Sequence, residues 1–319
     1  MRELLTDRLE SPVVQAGMGG GLSGSRLAAA VSAAGGLGTI GFAAPDVLGR
    51  EIAAARRLTD APLAVNLLLP FARRGHFEAA AAADVLVTFW GRPKRRTAGP
   101  WMHQCGSLQE ALAAHAAGAD AVIAQGVEAG GHVRGSEPGL ELLDRLLLAL
   151  PAGYPVLAAG GVADRADVVA RLDAGAAAVV CGTRFLMTDE SGAHPAYKQR
   201  LLGAGETTLT ELFGAGWAGA HRVVANAATE RWLGGDPRGP RPLRAFNRAT
   251  APLLARAPAG LRQRMAGLQR PHSPLLGPIP PTAGAPPSLL DAGPLYAGES
   301  VARIGDIRPA ADVVRDLTP

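Results

Sequence analysis

The chain has 319 residues, 48% of them hydrophobic and 19% charged, the proportions of a globular protein with a continuous core rather than a disordered one. Its formal charge of +4 comes from 32 basic against 28 acidic residues, too even a balance to argue a nucleic-acid partner. The two cysteines, Cys105 and Cys181, have neither metal-site nor disulfide-framework spacing, so they read as small core residues in a reducing compartment.

The N-terminal MRELLTDRLESP carries acidic residues and no apolar stretch with a cleavage site, so a signal peptide is not expected. No apolar run reaches the length of a membrane span. The expectation is a cytoplasmic protein with no nucleic-acid or membrane partner.

From residue 13 to 182 one phrase recurs: a short apolar run, a Gly or polar turn, then a helical pattern rich in Ala, Leu and Arg. The apolar runs predict eight strands, at 13–17, 37–41, 63–67, 85–89, 101–105, 121–125, 155–159 and 178–182. Runs without polar alternation suit strands buried on both faces. Helical patterns follow most of them. Ser107 with Glu110 three residues on is a capping-box pattern that starts one of these helices. Strand and helix in alternation predict an α/β fold with a parallel sheet, and eight repeats predict a closed (β/α)8 TIM barrel.

One unit is abbreviated. Between the fourth and fifth strands lies only GRPKRRTAGP, too short and too broken by Pro and Gly for a crossover helix; its basic run reads as a solvated loop. After Arg184, FLMTDESGAHPAYKQRLLGA reads as one helix, and residues 203 to 295 then lose periodicity and become rich in Pro and Gly towards PLLGPIPPTAGAPP. The predicted organisation is a barrel over 1–202, an added C-terminal helical or irregular lobe or lid over 203–295, and a final helix in 296–319 that packs back on the barrel.

Active sites of such barrels lie at the carboxyl ends of the strands. There the sequence places Ala16, Gly17 and Met18, then Asn66, Gln125, Gly160 with Gly161, and Gly182 with Thr183. The last two pairs let backbone amides approach an anion, and a helix start after Gly182 would add positive partial charge, which together suit a phosphate; the competing reading is two tight turns. Asn66 and Gln125 each donate and accept hydrogen bonds, which suits a heteroaromatic ring whose edge carries carbonyls and N–H groups, as a flavin's does, and equally suits a structural cap. Trp90, Trp101 and His103 adjoin the abbreviated unit and read as core packing or pocket wall. His115, His194 and His221 show no metal-ligand spacing, and no metal is expected.

The phrases VVQAGMGGGLSGSRLAAAVSAAGGLGTIG, LAVNLLLP, AVIAQGVEAGGH, PVLAAGGVAD and AAVVCGTRFLMTDES, in that order, resemble the nitronate monooxygenase family, as does AGESVARIGDIRPAADVVRDL near the end. The resemblance implies an FMN-dependent barrel oxidoreductase in which Ala16, Gly17, Met18, Asn66, Gln125, Gly130, Gly160, Gly161, Gly182 and Thr183 hold the FMN, the last four around its phosphate. It implies that His132, in EAGGH, is the catalytic histidine, and that a nitronate or nitroalkane is oxidised with O₂ to a carbonyl compound and nitrite. An imidazole suits that role because it titrates near neutrality and can take a carbon-bound proton or hold the nitronate group. Two other readings stay open: an NAD(P)H-dependent flavin reductase of quinone or enoyl-acyl-carrier-protein type, and a non-catalytic binding module. The lobe is where a homodimer would form.

Overall fold

A computed structural model describes residues 1, 3–254, 264 and 267–319. Eight parallel strands form the barrel: β1 (Val13–Gln15), β2 (Gly38–Ile40), β3 (Leu63–Leu68), β4 (Val85–Phe89), β5 (Trp101–Cys105), β6 (Ala121–Gln125), β8 (Val156–Ala159) and β9 (Ala178–Cys181). A two-residue strand, β7 (Gly131–His132), follows β6 and belongs to a different sheet. The barrel closes between β1 and β2, where Leu37 N–H donates to Val13 O (3.0 Å) and Gln15 N–H to Leu37 O (2.9 Å). The buried Gln15 side chain extends this seam by accepting from Thr39 N–H (2.9 Å).

Strand alternation decides which residues see the inside. Ala64, Val85, Val87, Met102, Ala121, Ile123, Leu157, Ala178 and Val180 form the inner cluster. Their neighbours Val65, Leu86, Trp101, Val122 and Ala158 face outward, against Leu48 and Ile52 of α2 (Pro45–Arg56) and Leu142, Leu143 and Leu146 of α5 (Gly139–Ala149). Each buried leucine contributes about 2 kcal/mol by leaving water. Side chains two residues apart share a face, so continuing the inner set past the strand ends brings Ala16, Asn66, Gln104, Gln125 and Gly182 to the top of the barrel. This parity selects the residues available for chemistry.

The predicted helices form as α1 (Ser25–Ala33), α2, α3 (Arg74–Ala80), α4 (Leu108–Ala116), α5 and α6 (Arg165–Asp173). Ser107 caps α4 by accepting from Glu110 N–H (3.3 Å), but the Glu110 carboxylate reaches Gly106 N–H (2.8 Å) and pairs with Arg134. No helix occupies the segment between β4 and β5. Arg95, in the middle of its basic run, is instead a staple: it donates to Gly118 O (2.6 Å), pairs with Asp120 (2.7 Å) and lies over the Trp101 ring.

The single helix predicted after Arg184 is two. Helix α7 is only Thr183–Leu186, and α8 (Pro195–Leu202) begins after a break through Asp189–His194. Pro195 has no N–H to give to a preceding turn, so it opens a new helix instead of continuing the old one. The break is functional architecture: Glu190 accepts from Ala310 N–H (2.9 Å) and so caps the helix Ala310–Leu317, while Lys198 donates to Thr188 O (2.5 Å).

The later segment is more ordered than its sequence indicates. Strands β10 (Thr208–Thr210), β11 (His221–Val224) and β12 (Leu295–Tyr296) form an antiparallel sheet that β7 joins through β11. Helices α9 (Ala227–Trp232) and α10 (Arg241–Leu254) pack beside it around Leu212, Phe213 and Leu243. Among the described residues, no helix is long and apolar enough to cross a membrane.

Candidate active site

A cavity of about 1000 Å³ opens over the carboxyl ends of the strands. Ala16, Gly17, Met18, Asn66, Gln125, Gly130, His132, Gly160, Gly161, Gly182 and Thr183 all line it. Sequence reasoning passed over Gln104, Trp217, Tyr296 and Ser300, which line it too. Gln104 had a signal, since in WMHQC it shares the inward face of Met102. Trp101 and His103 are buried in the core and do not line it. Cys105 and Cys181 are likewise buried, and burial raises both thiols, that of Cys181 to about 12.

Beside β1 and β3 the approach is close. A Cβ on Gly17 would lie 2.3 Å from Asn66 Cβ, so only glycine fits there. Asn66 donates to Gly17 O (3.1 Å), but its Oδ1 is buried without a hydrogen-bond partner.

On the opposite side, Gln125 takes the structural role that a strand-tip amide also suits. Its amide N–H donates to His132 O (3.0 Å) and its Oε1 accepts from Arg134 N–H (3.1 Å). The carboxamide thus acts as a strand partner for the histidine loop, leaving one N–H of its NH₂ group for the cavity. Glu128 is also structural: both carboxylate oxygens accept from Gly139 N–H (3.0 and 3.1 Å) at the start of α5.

The His132 backbone is held from the other direction by the lobe. In β7 it pairs antiparallel with His221 of β11, and Val133 N–H donates to Ala220 O (2.9 Å). The imidazole stacks on Trp217, with ring centroids 3.5 Å apart and planes 8° apart, and has Trp90, His221 and Tyr296 around it. Trp90 adopts φ 62°, a left-handed conformation uncommon for a bulky residue, and packs edge-on against Trp217. Burial, and then the neighbouring His221, hold His132 well below its ordinary pKa of 6.5. The ring is neutral at physiological pH, and its buried Nε2 has no partner.

The glycine turns after β8 and β9 are braced from behind. Gly160 O accepts from Arg171 (2.8 Å) and Gly161 O from Arg303 (3.0 Å), while Arg303 also binds Asp164 (3.0 Å) and Asp167 (2.7 Å). In a trans peptide the C=O and N–H point in opposite directions. Carbonyls drawn outward onto two guanidinium groups therefore turn the N–H groups of Gly161 and Val162 towards the cavity that both residues line. Gly160 and Gly161 have φ of 114° and 69°, which suit glycine. Thr183 Oγ1 accepts from Gly298 N–H (2.9 Å), so its own proton is left to donate. The chain at Gly298 also abuts Gly130, where a Cβ would come within 2.5 Å of Gly298 N.

The model of the nitronate monooxygenase family matches residues 2–104 and 94–319. A nitronate monooxygenase of Paraburkholderia phytofirmans is 33% identical over 293 residues, 73% of this chain and 78% of that protein. Among solved structures, FabK from Thermotoga maritima superposes with a TM-score of 0.77 at 28% identity, covering 99% of this chain and 94% of the other. A nitroalkane oxidase from Streptomyces ansochromogenes gives 0.74 at 30% identity over 98% and 96% of the two chains.

Proposed function

The chain belongs to the nitronate monooxygenase family and is an oxidoreductase; from that premise we propose that it binds FMN across the strand tips and oxidises alkyl nitronates with O₂. The family is flavin-dependent, and the residues present fit such a group. A buried acceptor without a partner, such as Asn66 Oδ1, costs about 1–3 kcal/mol, and a donor on the edge of a flavin ring would relieve it. Ala16, Gly17, Met18, Gln125 and Gly130 would border the ring and its side chain. Gly160, Gly161, Gly182 and Thr183 would hold the phosphate through backbone amides and one hydroxyl, because the described lining contains no Lys or Arg.

In balance, two nitronates and one O₂ give two carbonyl compounds and two nitrites. When bound, the flavin takes up and passes on the electrons. His132 supplies the rest. A neutral imidazole can take the carbon-bound proton of a nitroalkane, whereas a charged one could not. For a nitronate, the same ring offers a hydrogen bond within a wall whose described residues carry no charged side chain. Trp217 fixes the ring plane and excludes water from one face.

The observation that carries this reading is the neutral His132, with an unpartnered Nε2, in the same cavity as the unpartnered Asn66 Oδ1. The test is an anaerobic spectral titration with propyl-2-nitronate, with NADH and NADPH in parallel. Nitronate should change a flavin spectrum and yield nitrite when air enters. His132→Asn should keep the spectrum and lose about 10²–10⁴-fold in turnover of the neutral nitroalkane, the range for a positioned base. Reduction by a nicotinamide alone would reassign the protein to the flavin reductases.

A further inference from the structure

The cavity wall comes from two parts of the chain. The strand tips supply every position assigned above to the cofactor. The barrel also supplies Phe42 and Phe71, and the lobe adds Leu254, Leu268, Leu275, Ile279 and Leu289, with Trp217 where the two parts meet beside His132. Not one of the described lining residues, in either part, is Asp, Glu, Lys or Arg.

Where the two parts meet, Trp217 Nε1 is buried without a partner, whereas two side chains further along the lobe wall are engaged. Gln269 Oε1 accepts from Gly277 N–H (2.9 Å) and Ser273 Oγ from Leu275 N–H (3.2 Å). Three carbonyls of the Pro-rich stretch are occupied as well: Leu276 O by Ala215 N–H (3.1 Å), Pro278 O by the Tyr296 hydroxyl (3.0 Å), Pro281 O by His194 N–H (3.1 Å). Pro278, Pro280 and Pro286 have no N–H to leave unpaired. PLLGPIPP thus has few N–H groups, and three of its carbonyls are bonded elsewhere. At the rim, Leu268 is 72% and Leu275 41% exposed, side chains that gain only when something apolar covers them.

We propose that the lobe forms an uncharged second arm of the cavity that takes the tail of the substrate, an unbranched medium- to long-chain alkyl group whose reacting carbon lies beside His132. The tail's binding rests on the wall alone, and the placement of the reacting carbon rests on the function proposed above. The same tail could arrive on a free nitronate or on a carrier-bound acyl group, and the wall recognises what the two share.

Binding is read first, without turnover, from tryptophan fluorescence, since Trp217 lines the arm. The probes are butanol, hexanol, octanol and decanol, which do not react. Kd should fall about three- to fourfold per buried methylene, on the order of 100-fold over four methylenes. Turnover of the nitronates of nitroethane, nitrohexane and nitrodecane should rise with the same slope in kcat/KM. Ile279→Asp should flatten both series while the flavin spectrum stays as in the parent. Leu275→Asp, at the exposed rim where a charge does not threaten folding, should lower the slope if Ile279→Asp does not fold. A flat alcohol series overturns the inference even if short nitronates are oxidised. A steep alcohol series without any nitronate turnover sustains it and removes the nitronate reading. Turnover of a long-chain acyl thioester with NADPH, with the same steepness, sustains it with the carrier-bound source.

Discussion

Acidification should destabilise this protein well above the carboxylate range, because two histidines are buried in their neutral form. His221 Nε2 accepts from Phe213 N–H (3.2 Å), so its proton lies on Nδ1, facing Gly219 O (2.9 Å). In the barrel wall, the indole Nε1–H of Trp101 donates to Thr88 Oγ1 (2.8 Å), which leaves the hydroxyl proton for His103 Nδ1 (2.7 Å). A second proton on either ring would face a donor. Burial lowers both from 6.5 to about 4, and Arg134 adds to the effect on His103.

The sign follows from linkage. Above the unfolded value of 6.5, neither state takes up the proton and nothing is lost. Between 6.5 and about 4, the unfolded chain binds a proton that the folded one refuses, so stability falls as pH falls and the loss levels off below the folded value. From about pH 7 to about pH 5, each histidine should cost about 2 kcal/mol, about 4 kcal/mol for the pair, and His132, shifted the same way, adds to it. Asp167, whose pKa is lowered from 3.8, keeps its contribution above that value and loses it only below, outside this window. Urea unfolding followed by tryptophan fluorescence at several pH values measures the loss. A change under about 1 kcal/mol would refute the claim that these rings are held neutral by burial.

Three substitutions probe the site itself. Arg303→Ala removes a charge-assisted bond behind Gly161, and FMN affinity of the apoprotein, followed by flavin fluorescence, should weaken about tenfold; unchanged affinity would mean that the turn holds its shape alone. Trp217→Ala strips the stacked face from His132 and should lower kcat/KM about tenfold with FMN affinity intact, and Trp217→Phe should recover most of it. Gly17→Ala forces a Cβ to within 2.3 Å of Asn66 Cβ, and thermal unfolding should show a loss of about 1–3 kcal/mol together with poor flavin retention.

The barrel was legible because its strands are continuous apolar runs and helices such as α4 and α6 start at a side-chain cap, Ser107 and Asp164, both local properties. The tips were legible where a glycine or an amide ended a run, and parity would have added Gln104. The environment of His132 was not. Its strand, β7, is two residues in a glycine-rich loop, and its partners Trp217, His221 and Tyr296 come from segments with no local periodicity. With α7 only four residues long, a helix dipole gives little to a phosphate, and Arg171 and Arg303 orient the amides instead.

These non-local contacts converge on one segment. Residues of the lobe pair with the backbone of His132, cover its ring and wall the arm beyond it. The barrel and the C-terminal strap around Gly298 and Arg303 brace the other half of the cavity through Thr183, Gly130 and Gly161. A change in the lobe that reshapes the arm therefore also moves the imidazole, whereas the phosphate turns stay fixed. Variants that switch chain-length preference should shift kcat and KM together and leave FMN affinity untouched, because the residues proposed to hold the cofactor and those proposed to take the tail belong to different parts of the chain.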